Sequence, residues 1–332
     1  MLDLSVIVLT YNEELHIRRC LENMKDFAKE VFIIDCFSTD KTVEIAESYQ
    51  NVKVLQHKWP ATKYAGQFNW ALENAPITAK WVLRLDADEY LSDELKRECE
   101  EKLDKLPDNI TGVVLNRFHI FLEKVMDKNI PTKMLRLFQY KKGICEQRLM
   151  DEHIQLLEGE STEFDNKFYD HNLNDISWFC HKHVDYATRE AADLLDIELD
   201  LTGAALTDDN KNIGKNAEGK RAKKHKYARL PLFWRSFAYF LYRFIIQGQG
   251  FQGKENVIYC FLQGWWYRTL VDAKVFEIKQ KCGSDREKII AYLLENYNID
   301  IKSCCSKSVW GGYNVLIFNR LCGGFSYGRI AA

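Results

Sequence analysis

The sequence predicts an α/β fold, a mostly parallel sheet flanked by helices, with a helical C-terminal extension. Three observations carry that expectation. Apolar or β-branched runs recur at Leu4 to Thr10, Val31 to Cys36, Val52 to His57 and Lys80 to Leu85. Helix-like stretches, Glu13 to Lys25 and Asp40 to Tyr49, separate them, and such alternation is the mark of parallel strands joined by crossover helices. Polar clusters end three of the runs, where ligands of parallel sheets bind.

Taken in order, the first strand ends in Thr10-Tyr11-Asn12, the second in Asp35, and the fourth in Asp86-Ala87-Asp88-Glu89. No glycine precedes Gly66, so the first strand-to-helix turn is neither GxGxxG nor a P-loop. Hydride transfer on a Rossmann cofactor and P-loop phosphate chemistry are both disfavoured. A nucleotide at this sheet has to be held by side chains and a metal. In extended backbone, residues two apart face one side, so Asp86 and Asp88 are expected to point together at one cation. Their hard oxygens suit Mg²⁺ or Mn²⁺, which commonly share coordination with substrate phosphates. Two acids near a turn also serve as helix caps or solvated loops, and Ser38 and Asp40 read equally well as caps.

After Asn109, Thr111 to Phe121 and Met134 to Tyr140 read as further strands, and the polar stretch through Trp178 as loops and edge strands. A helix is expected from Thr188. Beyond it the chain changes character: Lys211, Lys215, Lys220, Arg221, Lys223, Lys224, Lys226 and Arg229 form a basic run relieved by Glu218 alone. Two aromatic segments follow, Leu232 to Ile246 and Val257 to Val271, each interrupted by arginine. They are too short and charged to span a bilayer comfortably, which takes about 20 largely apolar residues. Aromatic rings beside cations suit the headgroup region, and we expect peripheral contact with a membrane surface. Core helices with a solvated basic face are the alternative. The expected division is 1–200 for a nucleotide-binding and catalytic domain and 201–332 for the helical region.

Composition narrows the function classes. Lys and Arg number 46 against 48 Asp and Glu, which argues against a general nucleic-acid binder. The ten cysteines show no CxxC spacing, so a reducing cytosolic location is the simpler expectation. Met1 leads directly into the first strand, with no basic segment of the kind that opens a secretory signal.

Four motifs in order, Leu9-Thr10-Tyr11-Asn12-Glu13-Glu14, Asp35 with Ser38 to Thr42, Gly66 to Leu72, and Leu85-Asp86-Ala87-Asp88-Glu89, resemble those of family 2 glycosyltransferases. The resemblance continues through Met150-Asp151-Glu152-His153, Lys182 to Ala191 and Val271 to Lys274, and runs closest to bacterial enzymes building lipopolysaccharide core or related surface glycans. It implies the GT-A fold, a Rossmann-like nucleotide-diphospho-sugar transferase architecture. It further implies inverting, metal-dependent transfer of a hexose from a UDP-sugar to a lipopolysaccharide-core or lipid-linked glycan at the cytosolic face of the inner membrane.

Carried over residue by residue, the resemblance makes Thr10, Tyr11, Asn12, Glu13 and Asp35 nucleoside contacts, with a turn acid as the alternative for Asp35. Gln67 would lie near the uracil or diphosphate. Asp86 would face ribose or metal, followed by Ala87 against the donor, and Asp88 would be the main metal ligand. His171 would be a third metal or diphosphate contact, although histidines more often have structural hydrogen-bonding roles. Arg136 is read as holding phosphate or acceptor, with a structural salt bridge as its alternative. Glu152, with Asp151 close behind, occupies the place of the catalytic base. Two other functions stay open: a metal-dependent nucleotidyltransferase releasing pyrophosphate, and an inactive membrane-bound scaffold.

Overall fold

A computed structural model describes residues 1–59, 63–126, 131–148, 150, 152–203 and 215–304. Asp151, Lys211 and Cys305 lie outside them. The first half alternates strands and helices: β1 (Leu2–Thr10), α1 (Ile17–Met24), β2 (Ala28–Asp35), α2 (Thr42–Glu47), β3 (Val52–Gln56), α3 (Lys63–Asn74) and β4 (Trp81–Asp86). Four parallel strands result, in the order β3-β2-β1-β4. The apolar runs of β1 and β2 are buried on both faces, so their side chains do not alternate with polar ones. On α1, Ile17, Cys20, Leu21 and Met24 recur at helical spacing and all four are buried.

The chain then makes a short β5 (Glu89–Leu91) and α4 (Asp93–Lys102). The Ser92 side chain caps α4 by accepting from the Leu95 amide, with Asp93 and Glu94 in its first turn. Next come β6 (Ile110–Phe121), β7 (Lys124–Val125), β8 (Thr132–Gln139), β9 (Gly143–Cys145), β10 (Ile154–Leu156) and β11 (Glu160–His171). The main sheet continues from β4 through β8, β6 and β11 to β5, while β9 and β10 form a separate ribbon. β8 is antiparallel to both β4 and β6, so the complete sheet is mixed, with its parallel part concentrated where the sequence predicts it. One core layer packs beneath α1, α2 and α4, and a second beneath α3 and the β9–β10 ribbon.

β11 corrects the expectation of loops and edge strands before Trp178. It pairs with β6 on one side and β5 on the other. Phe164 and Phe168 alternate inward while charged residues face out, which makes a half-buried strand look polar.

The remaining helices are α5 (Ile176–Leu199), α6 (Lys215–Ala228), α7 (Trp234–Leu241), α8 (Lys254–Tyr259), α9 (Tyr267–Cys282), α10 (Arg286–Tyr297) and α11 (Ile301–Cys304). π-helical turns at Tyr242–Ile246 and Cys260–Trp266 extend α7 and join α8 to α9. α5 starts twelve residues before Thr188, at an Asp175 cap that accepts from the Trp178 amide. Its Ala187, Ala191, Leu194 and Leu195 share a third core with Tyr267, Val271, Val275 and Ile278 of α9 and with α10. The helical core therefore begins inside the 1–200 span. Much of the second aromatic segment is packing: Tyr267 and Val271 are buried, and Trp265 stacks on Phe240. No helix among the described residues is long and apolar enough to cross a membrane.

Candidate active site

The strand ends of β1 and β2 are sewn into one rim. Asn12, at φ 57°, accepts from the Thr39 amide through Oδ1 at 2.8 Å and donates its own amide to Ser38 Oγ at 2.8 Å. The Glu13 amide donates to Thr42 Oγ1, and the Glu13 carboxylate holds His16 Nδ1 at 2.7 Å. Asp35 is fully buried: it accepts from Thr10 Oγ1, from the Ser38 hydroxyl and amide, and from Gln56. This is the turn-acid alternative, because those contacts occupy both carboxylate oxygens. Thr10 is buried with it. Among the rim's polar exposed residues stand two rings: Tyr11 and Phe37 are each about half exposed, and Phe37 stands at φ 57°, a conformation costly for a side chain with a Cβ. Sequence reading passed over Phe37; the signal was an apolar ring in a turn of otherwise polar residues.

Gln67 is held beside the end of β3, next to the strand end that carries Asp35. It is buried, its Oε1 sits 2.7 Å from His57 Nδ1, and its Nε2 donates to the His57 carbonyl at 2.8 Å. The amide is thereby committed to fixing His57, which stacks on Trp70 at 4.1 Å.

At the carboxyl end of β4 the chain turns through Ala87 and Asp88 before entering β5 on the far edge of the sheet. Asp86 and Asp88 thus do not share one extended strand, and the alternation argument for their common direction fails. Asp86 faces Arg136 Nη2 at 3.4 Å, whereas Asp88 Oδ2 accepts from Asn172 Nδ2 at 2.9 Å. Ala87 between them is buried. Arg136 is buried as well and donates to Glu89 Oε1 at 3.0 Å, so it is the salt-bridge alternative rather than an open phosphate contact. Glu89 Oε2 in turn accepts from the Asp86 amide at 2.9 Å. A buried ion pair beneath the turn holds its shape.

Charge is concentrated here. The cost of withdrawing Asp86 from water is outweighed by Arg136, Arg84 and Arg117, which hold it below the usual carboxylate range. Burial, followed by repulsion from Asp170, pushes Asp88 up. Burial pushes Glu89 up to about 8 against the pull of Arg136. Asp170, although buried, is held well down by His119, Arg117 and Lys182. Removing Arg136 would strand Glu89 without its closest cation. At pH above that raised Glu89 value, Arg136→Met is expected to cost about 3–5 kcal/mol, measured as a lowered urea midpoint at unchanged slope, and less at neutral pH where Glu89 is largely protonated.

Glu152 sits just before β10, its carboxylate 3.5 Å from Arg84 Nη2. Arg84 also donates to Cys145 Sγ at 3.1 Å and lies over the Phe68 ring. Two residues apart on β4, Arg84 and Asp86 share a face of the sheet. Glu152 and Asp86 therefore flank one side of the same strand end. The following His153 is tied to Glu146 through its amide and Nδ1.

α5 brings a basic face that the sequence did not single out. Lys182 lies over the Trp178 and Tyr186 rings, and Arg189 over those of Tyr64 and Tyr186. Lys182, Tyr186 and Arg189 recur at helical spacing, and Lys182 lowers both Asp88 and Asp170 electrostatically. The available signal was that spacing. His183 belongs to the packing, with Nδ1 2.8 Å from the Phe179 carbonyl and burial lowering its pKa. His171 is also committed: Arg19 Nη1 lies 3.0 Å from Nδ1 and Glu123 Oε1 lies 3.1 Å from Nε2. With both ring nitrogens engaged, His171 is not placed to ligate a metal.

Among the described residues no group of three or more His, Cys, Asp or Glu forms a ready-made metal site. The donor chemistry still fits a divalent ion that takes its remaining ligands from phosphate. Asp88 is crowded by Asp170 and Asp86, and a cation relieves such repulsion.

Residues 5–156 match the family model described as Glycosyl transferase family 2. An uncharacterized glycosyltransferase of Rickettsia typhi is 26% identical over 322 residues, covering 92% of this chain and 97% of the relative. A lipopolysaccharide core biosynthesis glycosyltransferase, LpsC, of Rhizobium meliloti is 34% identical over 115 residues, 33% of this chain and 40% of that one. Among solved structures, S. aureus TarS 1-349 in complex with UDP-GlcNAc is 16% identical at a TM-score of 0.38, covering 87% of this chain and 89% of the other.

Proposed function

Because residues 5–156 form a family 2 glycosyltransferase domain, of the GT-A fold class, we propose that this enzyme inverts the anomeric centre as it moves a hexose from a UDP-sugar. Its acceptor is a lipopolysaccharide core or lipid-linked glycan, met at the cytosolic face of a membrane. The acceptor class follows the similarity to LpsC. One observation carries the mechanism: Glu152 is held against Arg84, on the face of β4 that Asp86 shares.

In this reading Glu152 is the catalytic base. Its carboxylate takes the proton of the acceptor hydroxyl as that oxygen bonds to the anomeric carbon, and the bond to the diphosphate breaks with its electron pair leaving on UDP. Arg84 keeps the base directed. Tyr11 and Phe37 offer ring faces to the uracil, and Asn12 and Glu13 keep the rim that carries them in shape. Asp88, assisted by Asp86, would hold Mg²⁺ or Mn²⁺, which when bound supplies Lewis-acid stabilisation of the departing diphosphate. Lys182 and Arg189 provide a second, protein-borne cationic clamp on that diphosphate. The catalytic domain, residues 1–200, therefore takes in α5 and its two cations.

Lys182→Met and Arg189→Met are each expected to raise KM for the donor by about 10-fold to 100-fold, the usual worth of a charge-assisted hydrogen bond. Steady-state kinetics at varied UDP-sugar reads this out. The activity itself is tested by incubating the purified chain with metal and panels of UDP-, GDP- and dTDP-sugars, then measuring nucleotide release with and without acceptor glycan. UDP release that acceptor accelerates is expected; silence across all three panels would remove the enzymatic reading.

A further inference from the structure

The helical run from Trp234 through Ile246 is built inside out. Its outward residues are Trp234, Ala238, Tyr242, Ile245 and Ile246, spaced along one helical stripe. Trp234 is 72% and Ile246 74% exposed. Its two arginines point inward instead. Arg235 is 3% exposed and binds Asp272 through Nε at 2.7 Å and Nη2 at 2.6 Å. Arg243 is also buried, under the rings of Tyr239 and Tyr259, with Nε 3.0 Å from Gln249 Oε1. A water-facing helix of an ordinary globular protein shows the opposite distribution, and contiguous apolar surface marks an interaction site.

The stripe continues onto a braced loop. Gly248, at φ 69°, turns the chain, and Gly250 leaves room for the Phe244 ring, which would lie 2.5 Å from any Cβ placed there. Phe244 packs between Phe240 and Phe251. Phe251 nevertheless stands 76% exposed at the loop's edge, and Lys124 of the catalytic sheet holds the next carbonyl, that of Gln252. The apolar prow is therefore fixed to the domain that carries the candidate active site.

Charge indicates what covers it. Residues 219–254 contain no Asp or Glu and nine Lys or Arg. Lys223, Lys226 and Arg229 are exposed just before the stripe, and Lys254 just after Phe251. We propose that this face is the membrane-docking surface. Trp234, Ile245, Ile246 and Phe251 enter the acyl boundary of a bilayer, and the flanking cations meet anionic headgroups. The purpose of the contact rests on the lipid-linked acceptor proposed above; its geometry does not.

The test is flotation of the full chain with phosphatidylcholine vesicles with and without phosphatidylglycerol. The native chain is expected to float with the anionic vesicles and to be released by high salt. The double substitution I246D/F251D should lower its partition by about a hundredfold while leaving the melting temperature unchanged, since both side chains are exposed. Glu152→Gln should float like the native chain whether or not transferase activity is found, which separates docking from chemistry. Native chain that stays at the bottom with anionic vesicles overturns the proposal. So does unchanged partition of I246D/F251D, as it would be if residues 305–332 covered the face, or a dimer in ultracentrifugation that those substitutions dissociate.

Discussion

Glu152→Gln is expected to lower kcat by about 10²–10⁴-fold, the range attributable to one positioned base, with little change in KM for the donor. The amide keeps the size of the side chain and can still approach Arg84, 3.5 Å away, but it cannot accept the acceptor's proton. Binding and folding should therefore survive. Arg84 supplies an internal control, because it touches the base rather than the reacting atoms. Arg84→Met should lower kcat less than Glu152→Gln and leave KM for the donor nearly unchanged, since the carboxylate loses its anchor but not its ability to accept the proton. Near-native turnover in Glu152→Gln would move the base elsewhere.

The second large effect is at Asp88. Asp88→Asn is expected to cost about 10²–10³-fold in kcat, as removal of a group that stabilises developing charge does. Chelation should abolish turnover of the native chain, with Mn²⁺ or Mg²⁺ restoring it, and the variant should need far more metal for any recovery. Stability should move the other way. A carboxyl whose native value is raised opposes folding: the penalty begins as the unfolded carboxyl ionises above about 3.9, the value of an unperturbed Asp, and is complete once pH passes the raised native value. Asparagine removes that penalty, so without metal the variant should melt at a higher temperature than the native chain at pH 8 and at nearly the same temperature at pH 4. A variant both inactive and less stable at pH 8 would mark Asp88 as a structural residue.

The parallel half of the sheet was legible because strands buried on both faces write uninterrupted apolar runs. Val6, Ile7 and Val8 are all fully buried and read as a strand without help from context. β11 was not, because only Phe164 and Phe168 face the core and the residues between them are polar. The start of α5 was missed for a related reason: its first turns lean on aromatic contacts such as Phe121 to Phe179 rather than on an aliphatic stripe. At the site, spacing pointed to the acidic turn, and resemblance alone to Glu152, but neither could give the direction of each polar group. Asp35, Gln67, Arg136 and His171 fall where the pattern puts them, yet their polar atoms are taken up by Ser38, His57, Glu89, Arg19 and Glu123. Lys182 and Arg189 arrive from a helix far along the chain, and only tertiary packing brings them toward the acids of β4.

The most direct test is a crystal structure of the chain soaked with UDP and Mn²⁺. The anomalous signal of manganese is expected at Asp88, with the diphosphate beneath Lys182 and Arg189, the uracil against Tyr11 and Phe37, and Glu152 facing the open acceptor side. A diphosphate bound away from Asp86 and Asp88 would contradict the account.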